Sequence, residues 1–165
     1  MKGSFLSKCL TKYKRTGVLL DTNLLLLYLV GYYDPNYIKK FKRTFKYSIE
    51  DFYFLKDYIE RFDKIIITPQ VLAEIWNFAE KIEVGRFGGF LISSIPQIAY
   101  MSENYIEKDR IISEQSFHYI GVTDTSVILT AKALKCLVLT DDFRSYIYYE
   151  NNKIEVININ HLRQI

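Results

Sequence analysis

Apolar residues are spaced along the chain in two ways. Short, nearly unbroken runs stand at Val18-Leu19-Leu20, Ile65-Ile66-Ile67, Cys136 to Leu139 and Ile154 to Ile159, and between them apolar positions return every three or four residues. The runs suit strands buried on both faces, and the longer spacing suits helices with one face in a core. Val18-Leu19-Leu20 is closed by Asp21-Thr22-Asn23, whose side chains cap helices, and Leu24 to Val30 then continues to Gly31, a common helix terminator. Asn36 to Lys46 sets Ile38, Phe41 and Phe45 on one helical face. Ser48-Ile49-Glu50-Asp51 opens a further helix carrying Phe52, Leu55, Ile59 and Phe62. The β-branched run Lys64 to Thr68 stops at Pro69, a favoured first helical residue, and Val71, Leu72, Ile75, Trp76 and Ala79 follow at helical spacing.

From Gly85 to His118 the pattern predicts helix interrupted at Gly88-Gly89 and at Pro96, with Ile98, Met101, Ile106, Ile111 and Ile112 apolar. Thr123-Asp124-Thr125 caps a helix through Leu134, and Asp141 to Tyr149 forms a short one before the last strand. Strands alternating with helices predict an α/β fold, with a mainly parallel sheet of about four to five strands flanked by helices. The expected organisation is a single domain over 1–165, with 1–16 as a basic N-terminal extension.

The longest apolar run, Leu24 to Val30, is far shorter than the roughly 20 residues that cross a bilayer. Lys2 and Lys8 flank no apolar stretch of the kind a secretory signal carries, so a cytoplasmic, non-membrane protein is expected. Cys9 and Cys136 lack metal-ligand spacing and read as plain thiols. The net charge of +3 conceals an asymmetry, because residues 1–47 hold ten Lys or Arg against Asp21 and Asp34, whereas the remainder holds twelve against seventeen acids. A basic lobe beside an acidic remainder fits a polyanion-binding protein with a cation-binding centre.

Ligand sites in open parallel sheets lie beyond the carboxyl ends of the strands. Asp21 follows the first strand, Asp141 and Asp142 follow the third, Glu74 lies early in the helix after the second, and Asp124 stands at a helix start. Acids that share a site repel one another until protons or cations neutralise them. Oxygen-only ligation without a nearby His or Cys suits Mg²⁺ or Mn²⁺, and the chemistry it favours is phosphodiester hydrolysis. His118 and His161 have no nucleophile partners and read as structural.

Four stretches resemble the PIN-domain nucleases: Val18-Leu19-Leu20-Asp21-Thr22-Asn23, Pro69-Gln70-Val71-Leu72-Ala73-Glu74, Gly121-Val122-Thr123-Asp124-Thr125-Ser126 and Val138-Leu139-Thr140-Asp141-Asp142-Phe143. The resemblance covers residues 17–160 and implies a doubly wound sheet and a Mg²⁺- or Mn²⁺-dependent endoribonuclease. It implies Asp21, Glu74, Asp124 and Asp142 as catalytic metal ligands, with the neighbouring Asp141 as a further metal ligand and the alternative to Asp142, and Asn23 and Thr140 as supports. VapC-type toxins of bacterial toxin–antitoxin pairs belong to that family, so the resemblance adds a protein antitoxin and a homodimer to RNA as partners. Lys39, Lys40, Lys42, Arg43 and Lys46 fall opposite the apolar face of the helix expected over 36–46 and are candidate phosphate contacts. Two other readings stand beside this one: a PIN-like RNA-binding or assembly module without catalysis, and an aspartyl-phosphate phosphatase. The phosphatase pattern wants a second aspartate two residues after the first, where this chain has Asn23.

Overall fold

A computed structural model describes residues 2–163. Five parallel strands, β1 (Val18–Leu20), β2 (Ile65–Ile67), β3 (Ser102–Glu103), β4 (Leu137–Thr140) and β5 (Val156–Asn158), form one sheet in the order β3-β2-β1-β4-β5. β1 pairs in register with β2 through Val18 and Ile65, and with β4 through Leu20 and Leu139. Every residue of β1, β2, β4 and β5 is buried, which is why these strands read as continuous apolar runs. β3 is an exposed two-residue edge strand without apolar residues, so no pattern announced it.

The chain winds outward from β1 on one side to β2 and β3, crosses back to β4, and winds outward again to β5. Strand order therefore reverses between β1 and β4, and the crevice outside their carboxyl ends is where such sheets bind ligands.

Nine helices are described: α1 (Lys2–Tyr13), α2 (Thr22–Tyr33), α3 (Ile49–Ile59), α4 (Pro69–Ala79), α5 (Val84–Tyr100), α6 (Lys108–Ser113), α7 (Phe117–Leu134), α8 (Phe143–Asn151) and α9 (Asn160–Arg163). The apolar helix α2 is buried continuously from Leu24 to Gly31, so it lies inside the fold with α3, α4 and α5 against it. Gly31 does not end α2, contrary to expectation. It is the point where the helix meets Phe52 of α3, whose ring would stand 2.2 Å from an added Cβ.

α5 runs unbroken through Gly88-Gly89 and Pro96, where interruptions were expected. Its fully buried Phe90 and Ser94, with the close seating of Gly89 on Tyr33, hold the helix against α2. Packing outweighs propensity there. The helix expected over 36–46 is likewise not formed: a 3₁₀ turn at Pro35–Tyr37 leads into successive turns. Fully buried Thr44 donates its hydroxyl to the Ile38 carbonyl at 2.9 Å, taking the acceptor that a helix would offer to the Lys42 amide. Ile38 and Phe41 are buried as expected, whereas Phe45 is 58% exposed.

The N-terminal segment forms α1, which buries Cys9 and accepts the Tyr58 hydroxyl at the Leu6 carbonyl, 3.1 Å away. Both cysteines are free, and burial, aided for Cys9 by Glu155, pushes their thiols up to about 11 for Cys9 and about 12 for Cys136. Among the described residues no helix is long and apolar enough to cross a membrane.

The Gly31–Phe52 contact leaves no room for a methyl group, and the ring cannot withdraw from a packed core. Gly31→Ala should lower stability by about 1–3 kcal/mol in urea denaturation. Adding Phe52→Leu should recover part of that loss, and a double variant no better than the sum of the singles would show the contact to be unstrained.

Candidate functional site

The site begins with Asp21, the residue that follows β1. It is 5% exposed and serves as N-cap of α2, with Oδ1 accepting the Leu24 amide at 2.8 Å. Its Oδ2 accepts the Thr140 hydroxyl and, at 3.0 Å, the Asp141 amide. The carboxylate thus joins the ends of β1 and β4 to the start of α2. Burial, reinforced by the Asp141 charge, pushes its pKa up to about 7 despite these donors.

The other acids connect to Asp21 through hydroxyls. Thr22 donates to Glu74 Oε2 at 2.7 Å, which brings the α4 carboxylate beside the start of α2. Thr140 Oγ1 also accepts the Asp142 amide at 3.0 Å, and Asp142 caps α8 by accepting the Arg144 amide at 2.8 Å. Ser145 then bridges two acids, donating to Asp124 at 2.7 Å with Asp142 3.2 Å away. Buried Tyr149 completes the chain by donating to Asp124 Oδ1 at 2.8 Å. Hydrogen bonds thus link Asp21 through Thr140 to Asp142 and through Ser145 to Asp124, while Glu74 joins by way of Thr22, the residue next to Asp21; the four acids come from four distant segments.

Asp124 stands near a helix start, as expected: α7 is broken at Gly121 (φ 79°, ψ −175°), which is not helical, and Asp124 lies in the first turn of the helical piece that follows. Burial raises the Asp124 pKa; Ser145 and Tyr149 oppose the rise, and the charges of Asp142 and Glu74 add to it. Tyr149 is itself pushed well up, first by burial and then by Asp124, so it remains a phenol that can only donate to the carboxylate.

Asp141 is arranged differently. It is buried, and its carboxylate accepts from Asn23 at 3.0 Å and from Tyr47 at 2.6 Å, and forms an ion pair with Lys46. A full positive charge compensates Asp141, while Asp124 has only hydroxyl donors. Of the basic residues expected on one helical face, Lys46 reaches the acids, Arg43 lies 4.0 Å over the Phe78 ring, and Lys39 meets the Phe45 carbonyl. Lys40 and Lys42 are exposed in the turns.

Ser145, Tyr149, Tyr47 and Thr22 were not singled out from sequence. For two of them a signal exists, since Asp142, Ser145 and Tyr149 lie at i, i+3 and i+7 and so share one face of α8. Tyr47 carries no such mark.

Among the described residues, no three His, Cys, Asp or Glu side chains already stand around one cation position. The donor set is oxygen-only, carboxylates with serine and threonine hydroxyls beside them, which suits Mg²⁺ or Mn²⁺. Asp124 also carries the signature that a cation would relieve: a buried carboxylate raised further by two acidic neighbours. The side chains fit such an ion in kind. Comparison with protein-family models and with curated proteins finds no match to this chain.

Because Asp21 has a higher pKa folded than unfolded, the native state holds a proton that the unfolded chain releases near pH 4. The metal-free protein should therefore lose stability as pH rises from about 4 to about 7, on the order of a few kcal/mol, and level off above that. Asp21→Asn should remove most of the fall in melting temperature across this window. A parent whose stability rises from pH 4 to pH 7 would mean that the carboxylate is stabilised as an anion.

Proposed function

We propose that this chain is a Mg²⁺- or Mn²⁺-dependent endoribonuclease with a PIN-like doubly wound fold. The observation that carries the reading is the hydrogen-bonded set of acids Glu74, Asp21, Asp142 and Asp124 at the strand-order reversal. Carboxylates from four segments are costly to gather, and such a cost is characteristic of functional sites.

In this reading Asp21, Glu74, Asp124 and Asp142 hold the cation. Once bound, a divalent ion supplies a Lewis acid and water of lowered pKa for attack on the phosphodiester. The chain's own groups prepare the site. The Leu24 and Asp141 amides and Thr140 fix Asp21, Thr22 orients Glu74, and Ser145 holds Asp124 near Asp142. Asn23, Tyr47 and Lys46 occupy Asp141, so that acid steadies the site and leaves ligation to Asp142. A cytoplasmic toxin acting as a homodimer and held by an antitoxin is the setting that goes with this reading.

A PIN-like RNA-binding module without catalysis is the second reading. One observation favours it: hydroxyl and amide donors already engage every acid of the set, and no ready three-ligand position is present among the described residues.

Cleavage of single-stranded RNA should require Mg²⁺ or Mn²⁺ and stop with excess chelator. Glu74→Gln and Asp124→Asn should each lower the rate at least about a hundredfold. Metal should raise the parent's stability by about 2.7 kcal/mol at a hundred times its dissociation constant, and the variants' by less. Asp124→Asn also relieves a buried charge, so its metal-free melting temperature should equal or exceed the parent's. RNA bound but never cleaved under any metal would select the non-catalytic module, and cleavage undiminished by chelator would eliminate the metal reading.

A further inference from the structure

The turns at 38–46, which replace the expected helix, build a recess of about 570 Å³ lined by Tyr37, Lys40, Phe41, Lys42, Arg43, Phe45, Lys81 and Glu83. Its cations and aromatic rings are interleaved. Tyr37 and Phe41 stack with centroids 5.8 Å apart and planes 9° from parallel, and both are buried, so they form a rigid apolar floor. Phe45 is 58% exposed at the wall, and the Arg43 guanidinium stands 4.0 Å over the centre of the Phe78 ring. Among the described residues Lys40, Lys42 and Lys81 have no ion-pair partner, and the one acid of the lining, Glu83, is paired with Arg86 at 3.1 Å. The recess therefore presents uncompensated positive charge beside an exposed ring.

Its position connects it to the acids. Phe45 lines the recess, and Lys46, the next residue, places its ammonium on Asp141, whose amide is bound to Asp21. A single backbone step separates the basic recess from the carboxylate cluster. Lys46 keeps 45% of its side chain exposed while paired with Asp141.

We infer that this recess binds an unpaired nucleotide of the RNA strand, with the base against Phe45 and the Arg43 plane and the phosphates on Lys40, Lys42 and Lys81. The strand then passes over Lys46 toward Asp21 and Asp142. The inference rests on the ribonuclease reading for its substrate and adds to it the place where the strand is held. The ligand class follows from the combination of groups: aromatic and guanidinium faces accept any base, and ammonium groups accept the backbone. An acidic peptide would use the lysines and leave the exposed ring without a partner.

The test is fluorescence anisotropy with labelled twelve-nucleotide oligouridylate and oligoadenylate, in chelator so that no cleavage occurs, at several salt concentrations. Lys42→Gln/Lys81→Gln is compared with Lys135→Gln/Lys153→Gln, which removes the same charge at the opposite, amino-terminal end of β4 and β5. The first pair should weaken both oligonucleotides about tenfold and flatten the salt slope by about 1.4, at roughly 0.7 per lost contact. The second pair should change neither by more than about twofold. Phe45→Ala should weaken binding about fivefold or more with the slope unchanged, and should have no effect on an abasic oligonucleotide.

The proposal is overturned if the two lysine pairs act alike, if Phe45→Ala has no effect on RNA, or if a twelve-residue oligoglutamate binds as tightly as RNA. Cleavage assays with Mg²⁺ separate this outcome from the ribonuclease reading. Pocket variants with unchanged affinity and KM, in a parent that cleaves and loses activity on Glu74→Gln, would remove the recess and leave the nuclease. Pocket variants that lose affinity in a parent that never cleaves would keep the recess and remove the nuclease.

Discussion

A carboxylate buried at the end of the central strand constrains the rest of this fold. Asp21 is nearly without solvent, so its oxygens must be met by protein donors, and those donors come from α2, from the last residue of β4 and from the residue beyond it. The same contacts that satisfy Asp21 therefore set the register in which β1 and β4 end together. They also fix the start of α2, the helix around which α3, α4 and α5 assemble. Removing the acid would relieve a desolvated charge and at the same time leave amide and hydroxyl donors at the strand ends unanswered.

Two solutions to crowded negative charge operate side by side. Asp141 is compensated by an ammonium group and by amide and phenol donors, a closed arrangement that leaves little for a ligand to gain. Asp124 and Asp142 share a serine hydroxyl, and Asp124 adds a phenol; these donors orient the oxygens without neutralising them. The field of the site is accordingly polarised, balanced on the Lys46 side and negative on the α7–α8 side. Negative charge left uncompensated is thereby confined to the α7–α8 side.

The parts of this molecule legible in the sequence are those in which local pattern and burial agree. Apolar runs located β1, β2, β4 and β5, the Ser48 and Pro69 signals placed α3 and α4, and the acids that end strands were picked out because a carboxylate beyond an apolar run is conspicuous. What escaped depends on contacts distant in sequence. Thr44 converts an amphipathic pattern into turns by taking the Ile38 carbonyl, and a three- or four-residue period carries no record of that competition. Gly89 and Pro96 resemble breaks until Tyr33 and the core around Phe90 hold the helix continuous. β3 exists only because Ile66 and Ile67 offer it an edge. Ser145 and Tyr149 were readable in principle from their shared helical face with Asp142, whereas Tyr47 gains its role solely from where Asp141 is folded.

The pairing of β1 with β4 also sets a schedule. Val18 leaves the ribosome about 120 residues before its partner Leu137, on the order of ten seconds at ordinary rates of synthesis. Until then β1 can pair only with β2, and Thr140, Asp141 and Asp142 have not been made. Asp124, Ser145 and Tyr149 likewise come from the last third of the chain. A nascent or truncated chain thus holds Asp21 and Glu74 without the groups that link Asp21 to Asp124. The cluster of acids and hydroxyls can therefore assemble only once nearly the whole polypeptide is free.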